Sequence, residues 1–203
     1  MASWNPMSQG TEFMVDLETL GLRPGCVLLS IGACTIHEFL DPNNQFYQNI
    51  SVESQPPSDG FHVNPLTEQW WSTQPLEARQ ALEVNQITLK QALIKFHDWI
   101  ATYPEPYTFW AQGPHFDYSI YEEACRLTNT SSPFRFFMVR DTRTVYDLGG
   151  VLKHEVEYER SGLVMHHALS DCIEQTYRLI ANRQNLLRKR DVVQVINQWA
   201  GKF

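Results

Sequence analysis

The sequence predicts an α/β domain built on a mixed sheet, antiparallel in its first half and parallel in its second, with helices flanking it. Two patterns carry this. Strand-like runs crowd the first fifty residues with only short polar links, as in an antiparallel meander. Later strand-like runs alternate with amphipathic helical stretches, as in parallel strands joined by crossovers. With 203 residues, 43% hydrophobic and 12% aromatic, the chain suits one domain with a sizeable core. Residues 13–203 are expected to form it, with the polar, patternless residues 1–12 as an extension or an added tag.

Taken in order, Phe13 to Glu18 is strand-like. Cys26 to Phe39 is a long, mostly apolar second strand with Gly32 as an expected bulge, and Gln45 to Val52 alternates as a third. Arg23-Pro24-Gly25 and Asp41-Pro42-Asn43 supply turn chemistry between them. After Pro56-Pro57-Ser58-Asp59-Gly60, helices are predicted over Leu66 to Ala81 and Leu89 to Thr102. In the second, Leu89, Leu93, Phe96 and Ile100 form the apolar stripe and Thr88 the cap. Tyr107 to Ala111 is a strand leading through Gln112-Gly113-Pro114 into a helix that runs to Arg126. Phe134 to Val139 is expected as a strand. Ala168 to Ala181 is expected as a helix, with Ile173, Tyr177 and Ile180 inward.

Within the first strand, Asp16 and Glu18 stand two positions apart, so both carboxylates point to one face. Two such anions at 4 Å repel by about 4 kcal/mol at an effective dielectric of 20. A hard divalent cation between them removes that cost, since it prefers oxygen ligands. The alternative is an edge strand with two solvated acids. Phe116-Asp117 offers a further carboxylate at a helix start, and His166-His167-Ala168-Leu169-Ser170-Asp171 places a histidine five positions before an aspartate at the mouth of another helix. Each of these aspartates also suits plain helix capping.

In order, Asp-x-Glu, Phe-Asp and His-x-x-x-x-Asp resemble the motifs of the DEDDh (DnaQ-like) 3′-to-5′ exonucleases, which have a ribonuclease H-like fold. The similarity runs from about Phe13 to about Arg183. It is nearest to the small bacterial and phage exonucleases, some of them exoribonucleases, which Trp70-Trp71 and Asp141-Thr142-Arg143-Thr144 also resemble. Gln112 stands where that family commonly has asparagine. The resemblance implies two divalent cations, Mg²⁺ or Mn²⁺, held by Asp16, Glu18, Asp117 and Asp171. Asp16 would bridge both ions, Glu18 and Asp171 would hold the ion that binds the attacking water, and Asp117 would support the other. His166 would be the general base, selected over His167 by the four-residue spacing to Asp171.

The implied activity is stepwise release of nucleoside 5′-monophosphates from 3′ ends of single-stranded RNA or DNA, with RNA favoured by the nearest branch. A non-catalytic nucleic-acid-binding module on the same fold and a ribonuclease H-type endonuclease are the alternatives. The loop Thr19-Leu20-Gly21-Leu22 leaves the strand beside Glu18, and Thr19, Leu20 and Gly21 in it are the leading candidates for meeting the terminal nucleotide. Trp70 and Trp71 are candidates for base stacking, or for core. Asp141 and Arg143 are candidates for supporting the site or contacting phosphate, and Asp141 equally for a helix cap. Arg183, Arg188, Lys189 and Arg190 offer backbone contacts, or simply suit a helix C-terminus. His115 is expected at the surface.

The net charge of −7 argues against coating a duplex, which basic proteins do through counterion release. It is compatible with gripping only the last nucleotides. Four clustered carboxylates contribute −4, which two dications cancel, leaving −3 of the −7 elsewhere. Cys26, Cys34, Cys125 and Cys172 show no metal-like spacing and are expected as reduced thiols. No apolar run approaches membrane-spanning length and no signal peptide is evident, so a cytoplasmic protein without membrane contact is expected, with a homodimer in keeping with the family.

Overall fold

The structure, a computed structural model, describes residues 10–158 and 162–200, with side chains described through residue 189. Residues 1–9 of the expected extension therefore lie outside the described residues. Among the described residues five strands form one mixed sheet in the order β3-β2-β1-β4-β5. They are β1 (Thr11–Thr19), β2 (Leu28–Thr35), β3 (Gln45–Asn49), β4 (Tyr107–Ala111) and β5 (Val139–Asp141). β1, β2 and β3 pair antiparallel as the predicted meander, whereas β4 joins β1 in parallel and β5 joins β4 in parallel. Among the described residues six α-helices flank the sheet: α1 (Pro65–Ser72), α2 (Leu76–Ala81), α3 (Leu89–Ile100), α4 (Pro114–Thr128), α5 (Thr142–Gly149) and α6 (Ala168–Ala200).

Strand periodicity divides β1 between two cores. Phe13, Val15 and Leu17 join Leu93, Phe96 and Ile100 of α3 and Ile120, Tyr121 and Ala124 of α4 in the larger cluster. Met14, on the other face, joins Cys34, Trp110, Tyr146, Cys172 and Leu179 in a smaller one, which Ile173, Tyr177 and Ile180 of α6 complete. α3 begins where expected, with Thr88 and Gln91 forming a reciprocal capping box. All four cysteines are buried free thiols.

Several elements differ from expectation: β1 already starts at Thr11, and α6 runs beyond Ala181 to Ala200. The predicted 66–81 helix is two helices, because Pro75 interrupts the run and becomes the N-cap of α2. The second strand is shorter than Cys26 to Phe39, and the third ends at Asn49. The 134–139 segment is a buried Phe134, a 3₁₀ turn over Phe136–Met138 and only then β5, leaving Phe136 and Phe137 exposed. Gly32 is not a bulge, since the register is regular there and shifts instead between Glu18 and Thr19. A Cβ on Gly32 would lie 2.3 Å from the backbone of Ala168 and Leu169. The glycine therefore lets the start of α6 rest directly on the sheet, at the strand position paired with Asp16.

Candidate active site

That close approach builds the site. β1 presents Asp16 and Glu18 on the face that α6 covers, and Gly32 admits the first turn of α6 with Asp171 in it. α4 supplies the fourth carboxylate. Pairing between β1 and β4 runs only from Thr11 to Met14, and β4 ends at Ala111, which leaves the Leu17 N–H without a partner on β4. Asp117, in the first turn of α4, accepts from it at 3.3 Å. Asp16, Glu18, Asp117 and Asp171 are thus brought together at one end of the sheet.

Ligand atoms of Glu18, His166 and Asp171 lie within 4.8 Å of one another. Asp16 accepts from the Gln175 amide at 2.8 Å. Gln175 follows Asp171 by one helical turn and so shares its face. His166 adopts a left-handed backbone conformation, φ 58°.

Burial and mutual repulsion hold these carboxyls far above their ordinary range. Asp16 is raised well above it by burial, then by the fields of Asp117, Glu18 and Asp171. Glu18 is pushed up to about 8 by burial and by Asp171 and Asp117. Burial raises Asp117 to about 7, against the lowering effect of the Leu17 N–H and of Arg143. Asp171 rises to about 6 through burial and Glu174, opposed by Lys153. His166 is lowered by burial. Four converging acids with so little counter-charge form a poor structural network and a good oxygen-rich seat for hard cations. The donor set fits divalent metal ions.

A cleft of about 490 Å³ opens over the acids, within the size range of small-ligand sites. Its walls include Leu22, Leu66, Thr67, Trp70 and Phe116. Trp70 is 42% exposed and meets the His166 ring edge-on, with centroids 4.8 Å apart. Trp71, its neighbour, is buried and donates its indole N–H to the Thr19 carbonyl at 2.9 Å. Of the loop after the first motif, Thr19 lines the cleft, whereas Leu20 packs into the core and Gly21 is buried against Cys26. Leu22, at 67% exposure, faces the cleft in their place. Leu66 is the wall residue that the sequence does not mark, because an apolar residue beside a helix cap is common at surfaces.

Of the remaining candidates, Asp141, Arg143, Arg183 and Lys189 have structural partners, whereas Arg188 is exposed. Asp141 caps α5, accepting from Arg143 N–H and the Thr144 hydroxyl. The Arg143 guanidinium lies over Gly113, where a Cβ would be 2.5 Å from its Nη1, and its field reaches Asp117. Gln112 accepts from Arg178 Nη1 at 3.1 Å, and Arg178 stacks on Tyr146. Arg183 forms a fork with Glu12 and lies over Trp110. Lys189 donates to the carbonyls at the end of α5. His115 is exposed, as expected, and the Arg190 side chain lies outside the described residues.

Residues 11–181 match the family model described as the Rv2179c-like 3′-5′ exoribonuclease domain. No curated protein sequence matches the chain. Among solved structures, the fold is similar to the nuclease domain of 3′hExo, a DEDDh family member, bound to rAMP. The TM-score is 0.54 at 14% identity, covering 88% of this chain and 94% of that one. It is also similar to cell-death related nuclease 4 (CRN-4), with a TM-score of 0.52 at 14% identity, covering 86% of this chain. This chain spans 63% of CRN-4.

Proposed function

The chain belongs to the Rv2179c-like 3′-5′ exoribonuclease domain family and is a 3′-5′ exonuclease; from that premise we propose that it degrades single-stranded RNA from the 3′ end with divalent metal ions, releasing nucleoside 5′-monophosphates. The observation that carries this reading is the set of four acids on β1, α4 and α6 with His166 beside Glu18 and Asp171. Divalent cations held by Asp16, Glu18, Asp117 and Asp171 would supply an activated water and neutralise charge developing on the phosphoryl group.

The other roles belong to this chain's own side chains. Burial keeps the His166 imidazole neutral near pH 7, so it accepts the proton of the attacking water. Trp70 packs against that ring and limits its rotation. Leu22, Leu66 and Trp70 give the terminal base an apolar wall, and an exposed indole face is worth roughly 1–3 kcal/mol in stacking. An acidic chain that grips only the last nucleotides has no need of a long basic track. The preference for RNA is supported by the family description, and a 5′-monophosphate product by the rAMP bound to the 3′hExo nuclease domain.

Single-stranded RNA and DNA of one sequence, 5′-labelled and incubated with Mg²⁺ or Mn²⁺, test this. A ladder shortening from the 3′ end, at least about tenfold faster on RNA (about 1.4 kcal/mol in transition-state binding), is expected. A single internal cut, or no cleavage, contradicts the exonuclease mechanism. Faster loss of DNA overturns only the sugar preference.

A further inference from the structure

The histidine after the candidate base has a different task. The His167 ring lies flat on Tyr47 of β3, with centroids 4.0 Å apart and planes inclined by 21°. Its carbonyl accepts the first helical bond of α6 from Asp171 N at 3.0 Å. Its Nδ1 accepts from Ser170 N at 3.5 Å, the side-chain bond of an N-cap residue, at the long end of the range. His167 therefore starts the helix whose first turn carries Asp171.

Tyr47 is itself held. Its hydroxyl donates to Asn49 Oδ1 at 2.6 Å, and burial keeps the phenol protonated by pushing it up to about 12. The Asn49 amide donates in turn to the carbonyls of Ala81 and Val84 at 2.6 and 2.8 Å. Tyr47 pairs across the sheet with Gly32, the residue on which the start of α6 rests. A supporting column thus runs from the end of α2 through Asn49 and Tyr47 to His167. It stops one residue from His166, whose left-handed backbone is uncommon for a non-glycine residue and persists only where its surroundings hold it.

We infer that Asn49, Tyr47 and His167 form a positioning column that aims the His166 imidazole at the attacking water. This rests on the reading of His166 as general base. His167 contributes through His166 and takes no proton itself, since its Nδ1 lone pair is directed at the Ser170 N–H.

The experiment combines kinetics with spectroscopy on the full chain. Tyr47→Leu removes the stack, Tyr47→Phe keeps the ring, and His167→Asn keeps a capping oxygen without the ring. Tyr47→Leu and His167→Asn should each lower kcat by about 10–100-fold with KM little changed, in line with a small misplacement of a reacting group. Tyr47→Phe should recover most of the loss. In a His166→Ala background, Tyr47→Leu should cause no further loss, because the column acts through the missing side chain. An equal loss in both backgrounds shows a merely structural role and overturns the inference.

In the aromatic NMR spectrum, Tyr47→Leu should abolish the ring-current shift of His167 and move the His166 resonances with it. Unmoved His166 resonances also overturn the inference. Should Tyr47→Leu not fold, His167→Asn carries both readouts. An active His166→Ala enzyme sinks the general-base reading, whereas an inactive one beside a fully active Tyr47→Leu sinks only the column.

Discussion

One strand, β1, serves two faces that ask opposite things of it. Phe13, Val15 and Leu17 enter a core of apolar and aromatic side chains from α3 and α4, and Phe13 alone meets four aromatic rings edge-on. Met14, Asp16 and Glu18 enter the other face, where Met14 packs normally and the two acids meet Asp117 and Asp171. The first face stabilises the fold without touching chemistry. The second destabilises it wherever no cation is present, because burying converging carboxylates opposes their ionisation. Alternation along a strand keeps the two separate, so a change on one face should leave the other's property largely intact.

Asp16→Asn should break the comparison most sharply. Losing a charge from the centre of the acid cluster is expected to reduce turnover by about 1,000-fold, the upper end for removal of one group that organises transition-state charge. The fold should persist, since asparagine is nearly isosteric and Gln175 remains as its partner. Rates on a labelled oligoribonucleotide, with circular dichroism of the same sample, check both halves.

On the opposite face, Phe13→Ala should cost about 3–5 kcal/mol of stability, the range for emptying a buried aromatic site. Activity per folded molecule should change little, because no atom of Phe13 faces the cleft. Urea denaturation and an active-site-normalised rate measure the two quantities. A variant that stays stable but loses turnover would show that the faces are coupled.

Much of this division was legible in the sequence. Asp16 and Glu18 at i and i+2, Asp117 and Asp171 at helix starts, and the stripe Leu89, Leu93, Phe96 and Ile100 each follow a period that one element imposes. Most of what was missed depends on contacts between distant segments. Gly32 looked like a bulge because a glycine in a strand usually marks one, whereas its reason lies 136 residues away at Ala168. Tyr47 alternated like any strand residue, and nothing local said that His167 would stack on it. Phe134 to Val139 satisfied strand propensity, yet only its end found a neighbour in β4. Pro75 was a readable helix breaker that an otherwise continuous apolar pattern obscured.

The most direct test is the melting temperature of the metal-free protein, wild type against Asp16→Asn, at pH 5 and pH 8. The folded-state pKa of Asp16 is raised, so the folded protein retains a proton that the unfolded chain has released. The resulting penalty is absent below the ordinary carboxylate range and grows as pH rises through it towards the folded value. Glu18, Asp117 and Asp171, raised to about 8, 7 and 6, add to the loss over the same span. Asp16→Asn should therefore melt higher than wild type at pH 8, by about 2–4 °C for each kcal/mol relieved. The gap should shrink at pH 5, and saturating Mn²⁺ should raise the wild type more than the variant. A variant that melts below wild type at pH 8, or a gap independent of pH, would contradict the claim that this face is strained by its own acids and relieved by metal.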